Sequence, residues 1–205
     1  MVQRRRTSGR KPRSVVLVIA EGKTEEVYFR GLRRRGCDVE IRTPASSPTD
    51  ALNLVRLTVK QLRMNDIHPE AGDLAICAFD VEGNERANLL KAISLAEENG
   101  IVVAVSNPCF ELWSLLHFRR VDHKLTCKEV LALLRDYIPG YRKGTDYNDT
   151  LIPRRVSADG RARELLDSHG VKASMELLES SPSTNLSIII ELIEELIAKN
   201  QRLKR

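Results

Sequence analysis

The sequence predicts an α/β protein, with a parallel sheet flanked by helices and a helical C-terminal portion. Three observations predict it. Apolar, β-branched runs at 15–20, 74–79 and 101–105, with a weaker one at 39–43, alternate with amphipathic helical segments up to about residue 120. That order is the signature of a parallel sheet joined by right-handed crossovers. The runs are continuously apolar rather than alternating, as expected of strands covered on both faces. Beyond residue 120 the strand pattern stops. Helical patterns at about 126–137, 158–168 and 171–178 then lead into a stripe of Leu186, Ile189, Ile190, Ile193, Leu196 and Ile197. The expected organisation is a basic, disordered tail over 1–13, an α/β core over 14–120, and a helical region over 121–205 packed on that core.

Each element has its own signals. After the strand Val15–Ala20, Thr24 offers an N-cap, with Glu25 and Glu26 in the first turn where the helix dipole favours anions. That helix is expected to end at Arg33, Arg34 and Arg35 before Gly36. Three arginines suit phosphates, but cations in a last helical turn need no partner. After the weak strand Val39–Thr43, Ser47-Pro48-Thr49-Asp50 reads as a capped start with proline at the first helical position, and Leu52, Val55, Val59 and Leu62 line one face. The strand Leu74–Phe79 delivers Asp80. Leu89, Leu90, Ile93 and Ala96 mark a helix stopped by Asn99-Gly100. The strand Ile101–Val105 runs into Ser106-Asn107-Pro108 and a helix carrying Phe110, Trp113 and Leu116. Trp113, the sole tryptophan, reads as core, and His117, four residues on, shares its packed face. Residues 139–157, rich in Gly, Pro, Tyr and charge, read as a loop.

Composition narrows the class. At 205 residues, 42% hydrophobic and 30% charged, the chain is globular and long enough to bury a core without metals or disulfides. No stretch approaches the roughly 20 apolar residues of a membrane span, and the N-terminus has no apolar signal region. Four cysteines without a C-x-x-C pair read as ordinary thiols in a reducing, cytoplasmic setting. The net charge of +5 resides in the ends. Residues 1–14 and 199–205 hold ten of the 33 basic side chains and no acid, which leaves residues 15–198 with 23 bases against 28 acids, a net of −5. Such ends attract a phosphate backbone without reading its sequence, and equally they are what solvated, disordered termini look like.

In open α/β sheets ligands bind beyond the carboxyl ends of the strands. Three segments carry polar residues to that edge: Glu21–Glu25, Asp80–Asn84 and Ser106–Glu111. Clustered carboxylates there repel one another unless a cation or proton joins them, and they are the hard oxygen ligands that suit Mg²⁺. Glu21-Gly22-Lys23-Thr24 is not a P-loop, because position 17, where its first glycine would stand, is leucine within a strand. Asp80-x-Glu82 does not suit an aspartyl-phosphate phosphatase, which wants aspartate as the second acid and places the pair after the first strand. Cys109, His117, His123 and Cys127 lack the paired spacing of a zinc site. With four Phe and four Tyr, a base-stacking platform has little to build on.

A strand followed by Glu21-Gly22-x-Thr24-Glu25 and a later strand followed by Asp80-x-Glu82 resemble a Toprim domain. The stretch Ser106-Asn107-Pro108-Cys109-Phe110-Glu111-Leu112-Trp113, with Ser181-Pro182-Ser183-Thr184-Asn185, is similar to the RloB-like proteins, a Toprim-related group, over roughly residues 14–200. The resemblance implies a Toprim-like fold and a metal-dependent nuclease of bacterial anti-phage defence and abortive infection, encoded beside an AAA- or ABC-type ATPase. It further implies that Glu21, Asp80 and Glu82 hold Mg²⁺ or Mn²⁺ against a scissile phosphate of RNA or DNA, with Glu21 alternatively a general acid or base. Glu82 stands where that pattern has aspartate, which keeps the charge and adds a methylene. Glu25 and Glu111 are further candidates at the same edge, although first-turn acids also serve a helix dipole. Lys143 is a candidate phosphate contact, or else a solvated loop cation. A non-catalytic adaptor that docks an ATPase or a nucleic acid is the alternative reading, and a homodimer is compatible with either.

Overall fold

The computed structural model describes residues 14–32, 40–42 and 50–202. The expected basic tail, the Arg33–Arg35 turn with Gly36, the Ser47-Pro48 helix start and the last three residues lie outside the described residues. Within them runs β1 (Val15–Ala20), α1 (Lys23–Gly31), β2 (Glu40–Arg42), α2 (Ala51–Met64), β3 (Leu74–Asp80), α3 (Arg86–Glu98) and β4 (Ile101–Asn107). There follow α4 (Glu111–Leu116), α5 (Cys127–Tyr137), α6 (Asn148–Leu151), α7 (Arg155–His169), α8 (Ser174–Leu177), β5 (Ser183–Thr184) and α9 (Leu186–Arg202). No helix among the described residues is long and apolar enough to cross a membrane.

The sheet has the order β2-β1-β3-β4-β5. β2, β1, β3 and β4 are parallel, in register Val16 with Ile41 and Leu74, and Ala78 with Ala104. Successive strand residues feed two different cores, as the period of two requires. Val16, Val18, Ala20, Ile76, Ala78 and Ala104 face a layer built from α1, α4, α5, α7 and α9. Leu17, Ile19, Ala75, Cys77, Phe79, Val103 and Val105 face α2 and α3. Both faces are covered, which is why the strands are apolar throughout. The C-terminal helices share the first of these cores, with Val130, Leu134, Ala158, Ala162, Ile189, Ile190 and Ile193 all buried in it. Trp113 is fully buried there, edge-on to His117 at 4.9 Å between centroids.

Four local features differ from the sequence expectation. α1 begins after Gly22, and Thr24 lies inside it; its hydroxyl accepts from the Gly144 backbone N–H at 3.0 Å instead of capping. α2 is capped by Asp50, whose carboxylate accepts from the Asn53 N–H. The stretch 139–157 holds α6 and the start of α7. α6 is tied down by Asn148, which donates to the Val27 carbonyl of α1 at 3.0 Å, and four residues are too few to show a helical period. Finally, the strands do not end at residue 120. Ser183–Thr184 pairs antiparallel with Ser106 and Asn107 as β5.

Asn185 extends that pairing with its side chain. Its amide oxygen accepts from the Val105 N–H and its amide nitrogen donates to the Val103 carbonyl, both at 2.8 Å, so a side chain completes the edge of β4 below a two-residue strand. The two ends of the described chain also meet: the Asn200 amide donates to the Ser14 hydroxyl oxygen at 3.2 Å. Replacing Asn185 by alanine strands two buried backbone groups. We expect Asn185→Ala to lower the unfolding free energy by about 2–4 kcal/mol in urea or thermal melts, whereas a loss under about 0.5 kcal/mol, the range of ordinary surface changes, contradicts this account of the edge.

Candidate functional site

After β1 the chain turns toward β2 over one face of the sheet. After β3 it turns toward β4 over the other, so β1 and β3 flank the point where crossovers diverge. Crevices at such points are where open α/β sheets bind ligands. Glu21 follows β1 and Asp80 ends β3, side by side. The Glu21 N–H donates to the Ala78 carbonyl at 2.9 Å. The Glu21 carboxylate accepts from the Asp80 N–H at 3.3 Å and from the Asn84 side chain at 3.4 Å. Asp80 Oδ1 accepts from the Phe110 N–H at 2.8 Å, and the Val81 and Glu82 N–H groups bond the Ser106 and Pro108 carbonyls. The segment after β4 therefore holds the end of β3 in place, and with it the Asp80 carboxylate.

Two further carboxylates crowd the same spot. Glu25 is 5% exposed and curls back over Gly22, where an added Cβ would stand 2.7 Å from its Oε2. Glu111 is 1% exposed. Its Oε1 accepts weakly from the Thr24 and Tyr141 hydroxyls, each at 3.5 Å, and its Oε2 pairs with Lys143 Nζ at 3.0 Å. Burial pushes the Asp80 carboxyl well above the usual carboxylate range, and the charges of Glu25, Glu111 and Glu21 push it further. Burial pushes Glu25 up to about 7; its own backbone N–H and Lys143 oppose the rise, and Glu111 adds to it. Glu21 is raised by burial and held back by its Asp80 and Asn84 donors. Burial works against the Lys143 charge, yet the Glu111 carboxylate holds its ammonium above the usual lysine range.

Glu82 behaves differently. Its exposed carboxylate accepts from the Cys127 N–H at 2.9 Å, the first backbone donor of α5, and so caps that helix. Of the three acids expected to converge, the structure pairs Glu21 with Asp80 and turns Glu82 to α5. Their ligand atoms do not gather into a single group. Among the described residues, the metal-ligating types whose ligand atoms all lie within 4.8 Å of one another are Cys109, Glu111 and Cys127, a group able to hold a metal ion. The sequence shows no paired spacing that would join those cysteines, and Cys127 meets Cys109 only once α5 has docked. His117, with its Nδ1 on the Trp113 carbonyl, and exposed His123, paired with Asp122, both lie outside that group.

The family model described as RloB-like protein matches residues 16–196. The chain belongs to the RloB-like family. No curated protein and no solved structure matches it. In this RloB-like chain the residues that carried the resemblance occupy connected positions: Ser106 Oγ lies 3.0 Å from Thr184 Oγ1, Asn107 donates to the Leu177 and Leu178 carbonyls, and Asn185 completes β4. The two motifs, distant in sequence, build one corner of the sheet below the acidic edge.

Glu25 gives this corner a pH dependence. Its carboxyl rises from 4.5 to about 7 on folding, so the folded chain holds a proton that the unfolded chain has released. Stability is then lost as pH rises from about 4.5 to about 7. We expect Glu25→Gln to gain stability relative to wild type across that interval in metal-free buffer, by on the order of 3 kcal/mol at its upper end. Thermal melts of both proteins at a series of pH values measure it, and parallel pH profiles would contradict the assignment.

Proposed function

We propose that this RloB-like protein is a Mg²⁺-dependent nuclease that cleaves phosphodiester bonds of RNA or DNA. The observation that carries the reading is the half-buried Asp80 carboxylate at the divergence of the crossovers, with Glu21 beside it and the charges of Glu25 and Glu111 acting on it. Such a site is relieved by a bound cation. Mg²⁺ takes one or two carboxylates and completes its shell with waters and phosphate oxygens, so Glu21 and Asp80 fit it as the protein's ligands. When bound, the ion lowers the pKa of a coordinated water and neutralises charge on phosphoryl oxygens.

The chain's own residues have separable parts in this reading. Asp80, fixed through Oδ1 by the Phe110 N–H, leaves its second oxygen to the ion. Asn84, which donates to both the Glu21 carboxylate and the Asp80 carbonyl, orients the pair. Glu25, near its midpoint around neutral pH, is suited to carry a proton to or from the reacting oxygens. Lys143 balances buried Glu111 and, in this reading, would contact the phosphate. Glu82 positions α5 against this edge. A place in anti-phage defence, and control by a partner ATPase, follow from the family resemblance and belong to the same proposal.

Divalent-metal cleavage assays over duplex DNA, single-stranded RNA and folded tRNA test it. Asp80→Asn and Glu21→Gln are each expected to lower the rate by more than about 100-fold. Glu82→Gln, which disturbs only the α5 cap, is expected to lose about 10-fold. Full activity in the Asp80 and Glu21 variants would eliminate the site. Absence of metal-dependent cleavage on every substrate, with and without the ATPase, would favour the non-catalytic adaptor.

A further inference from the structure

Two thiols and a carboxylate meet beside the acidic edge, and the nuclease reading does not use them together. Cys109 comes from the turn after β4, Glu111 is the first residue of α4, and Cys127 is the first residue of α5. Their ligand atoms lie within 4.8 Å of one another. Cys109 and Glu111 are buried, whereas Cys127 is half-buried and gives the group a way out to solvent. Cys77 shows what an ordinary core cysteine looks like in this protein: it is fully buried in the opposite layer among apolar neighbours, with no carboxylate in a ligand group.

The group already attracts a positive charge. Lys143 Nζ stands 3.0 Å from Glu111 Oε2 and 3.8 Å from Cys127 Sγ. The Lys143 side chain is 53% exposed, on the loop between α5 and α6, so it can withdraw without disturbing the core. Apart from that ammonium, Glu111 Oε2 has no hydrogen-bond donor.

We propose that Cys109, Glu111 and Cys127 form a Zn²⁺ site, which the metal enters by displacing the Lys143 ammonium. Thiolates select zinc over the hard ions that Glu21 and Asp80 suit. Three protein ligands with a fourth position open is the pattern of zinc sites that keep a water or another exchangeable ligand. Binding releases the thiol protons to solvent, one from each cysteine that was protonated, and leaves zinc held by two thiolates and the Glu111 carboxylate, a unit of net charge −1. The ion would staple α5 to the turn that carries the Phe110 N–H, the donor that fixes Asp80. The site is distinct from the proposed Mg²⁺ position, and its test does not depend on nuclease activity.

Metal-free full-length protein is titrated with Zn²⁺ against a chromophoric chelator and, separately, with Co²⁺ as a spectroscopic substitute. One equivalent of each is expected to bind, and Co²⁺ is expected to show a near-ultraviolet thiolate charge-transfer band with tetrahedral visible bands. Cys127→Ser and Cys109→Ser are each expected to weaken Zn²⁺ binding by on the order of 100-fold, while Cys77→Ala and Asp80→Asn leave it unchanged. Lys143→Met, which removes the competing cation, is expected to tighten it. Circular dichroism of the metal-free variants shows whether each is folded, and the half-buried Cys127 position together with the wild-type Co²⁺ spectrum decides the matter if the Cys109 variant is not. A Co²⁺ complex without the thiolate band, undiminished Zn²⁺ affinity in folded Cys127→Ser, or a loss caused by Asp80→Asn overturns the site. Weaker binding in Lys143→Met overturns the displacement.

Discussion

Carboxylates withdrawn from water raise the free energy of their ionised forms unless donors or cations surround them. In this protein Glu25 and Glu111 are buried and Asp80 half-buried, together at the end of a sheet whose strands are otherwise apolar. The donors within reach are few: one backbone N–H for Asp80, the Glu25 N–H for its own side chain, and Lys143 with two long hydroxyl contacts for Glu111. Much of the rest of the molecule holds this unfavourable arrangement still. The cores on both faces fix the strand ends, α1 and α4 fix the helix-borne acids, and the turn after β4 fixes Asp80.

The corner built by β4, β5 and Asn185 has a related task. A parallel sheet ends in an unpaired strand, and a row of open backbone groups at that edge would be exposed or unsatisfied. Here a two-residue strand and an amide side chain close the row beneath the acidic edge. α9 starts directly after it and packs Ile189, Ile190 and Ile193 into the core shared with α1 and α4. The C-terminal helices thereby stabilise the same face of the sheet that carries Glu25 and Glu111.

Much of this was legible in the chain. Runs such as Val15–Ala20 and Leu74–Phe79 are long, apolar and bounded by acids, so both the strands and the edge they reach could be read from them. Glu21, Asp80, Glu25 and Glu111 were identifiable because each follows such a strand within a few residues. Other features have no period to detect. β5 is two residues long and α6 four, and both depend on side-chain amides, Asn185 and Asn148, that bond backbone far away in sequence. The orientation of Glu82 and the meeting of Cys109 with Cys127 share one cause, the docking of the α5 N-terminus. That docking is a tertiary event, and the local pattern around Thr126 and Glu129, which form a capping box, reports only that a helix begins there.

The bond between Ser14 and Asn200 joins the first described residue to the last turn of α9. Both residues lie at the amino end of β1, a full strand, about 20 Å, from Glu21. Lys199 and Arg202, in the last turn of α9, therefore stand about a strand's length from the buried carboxylates Glu25 and Glu111, beyond the reach of a screened charge.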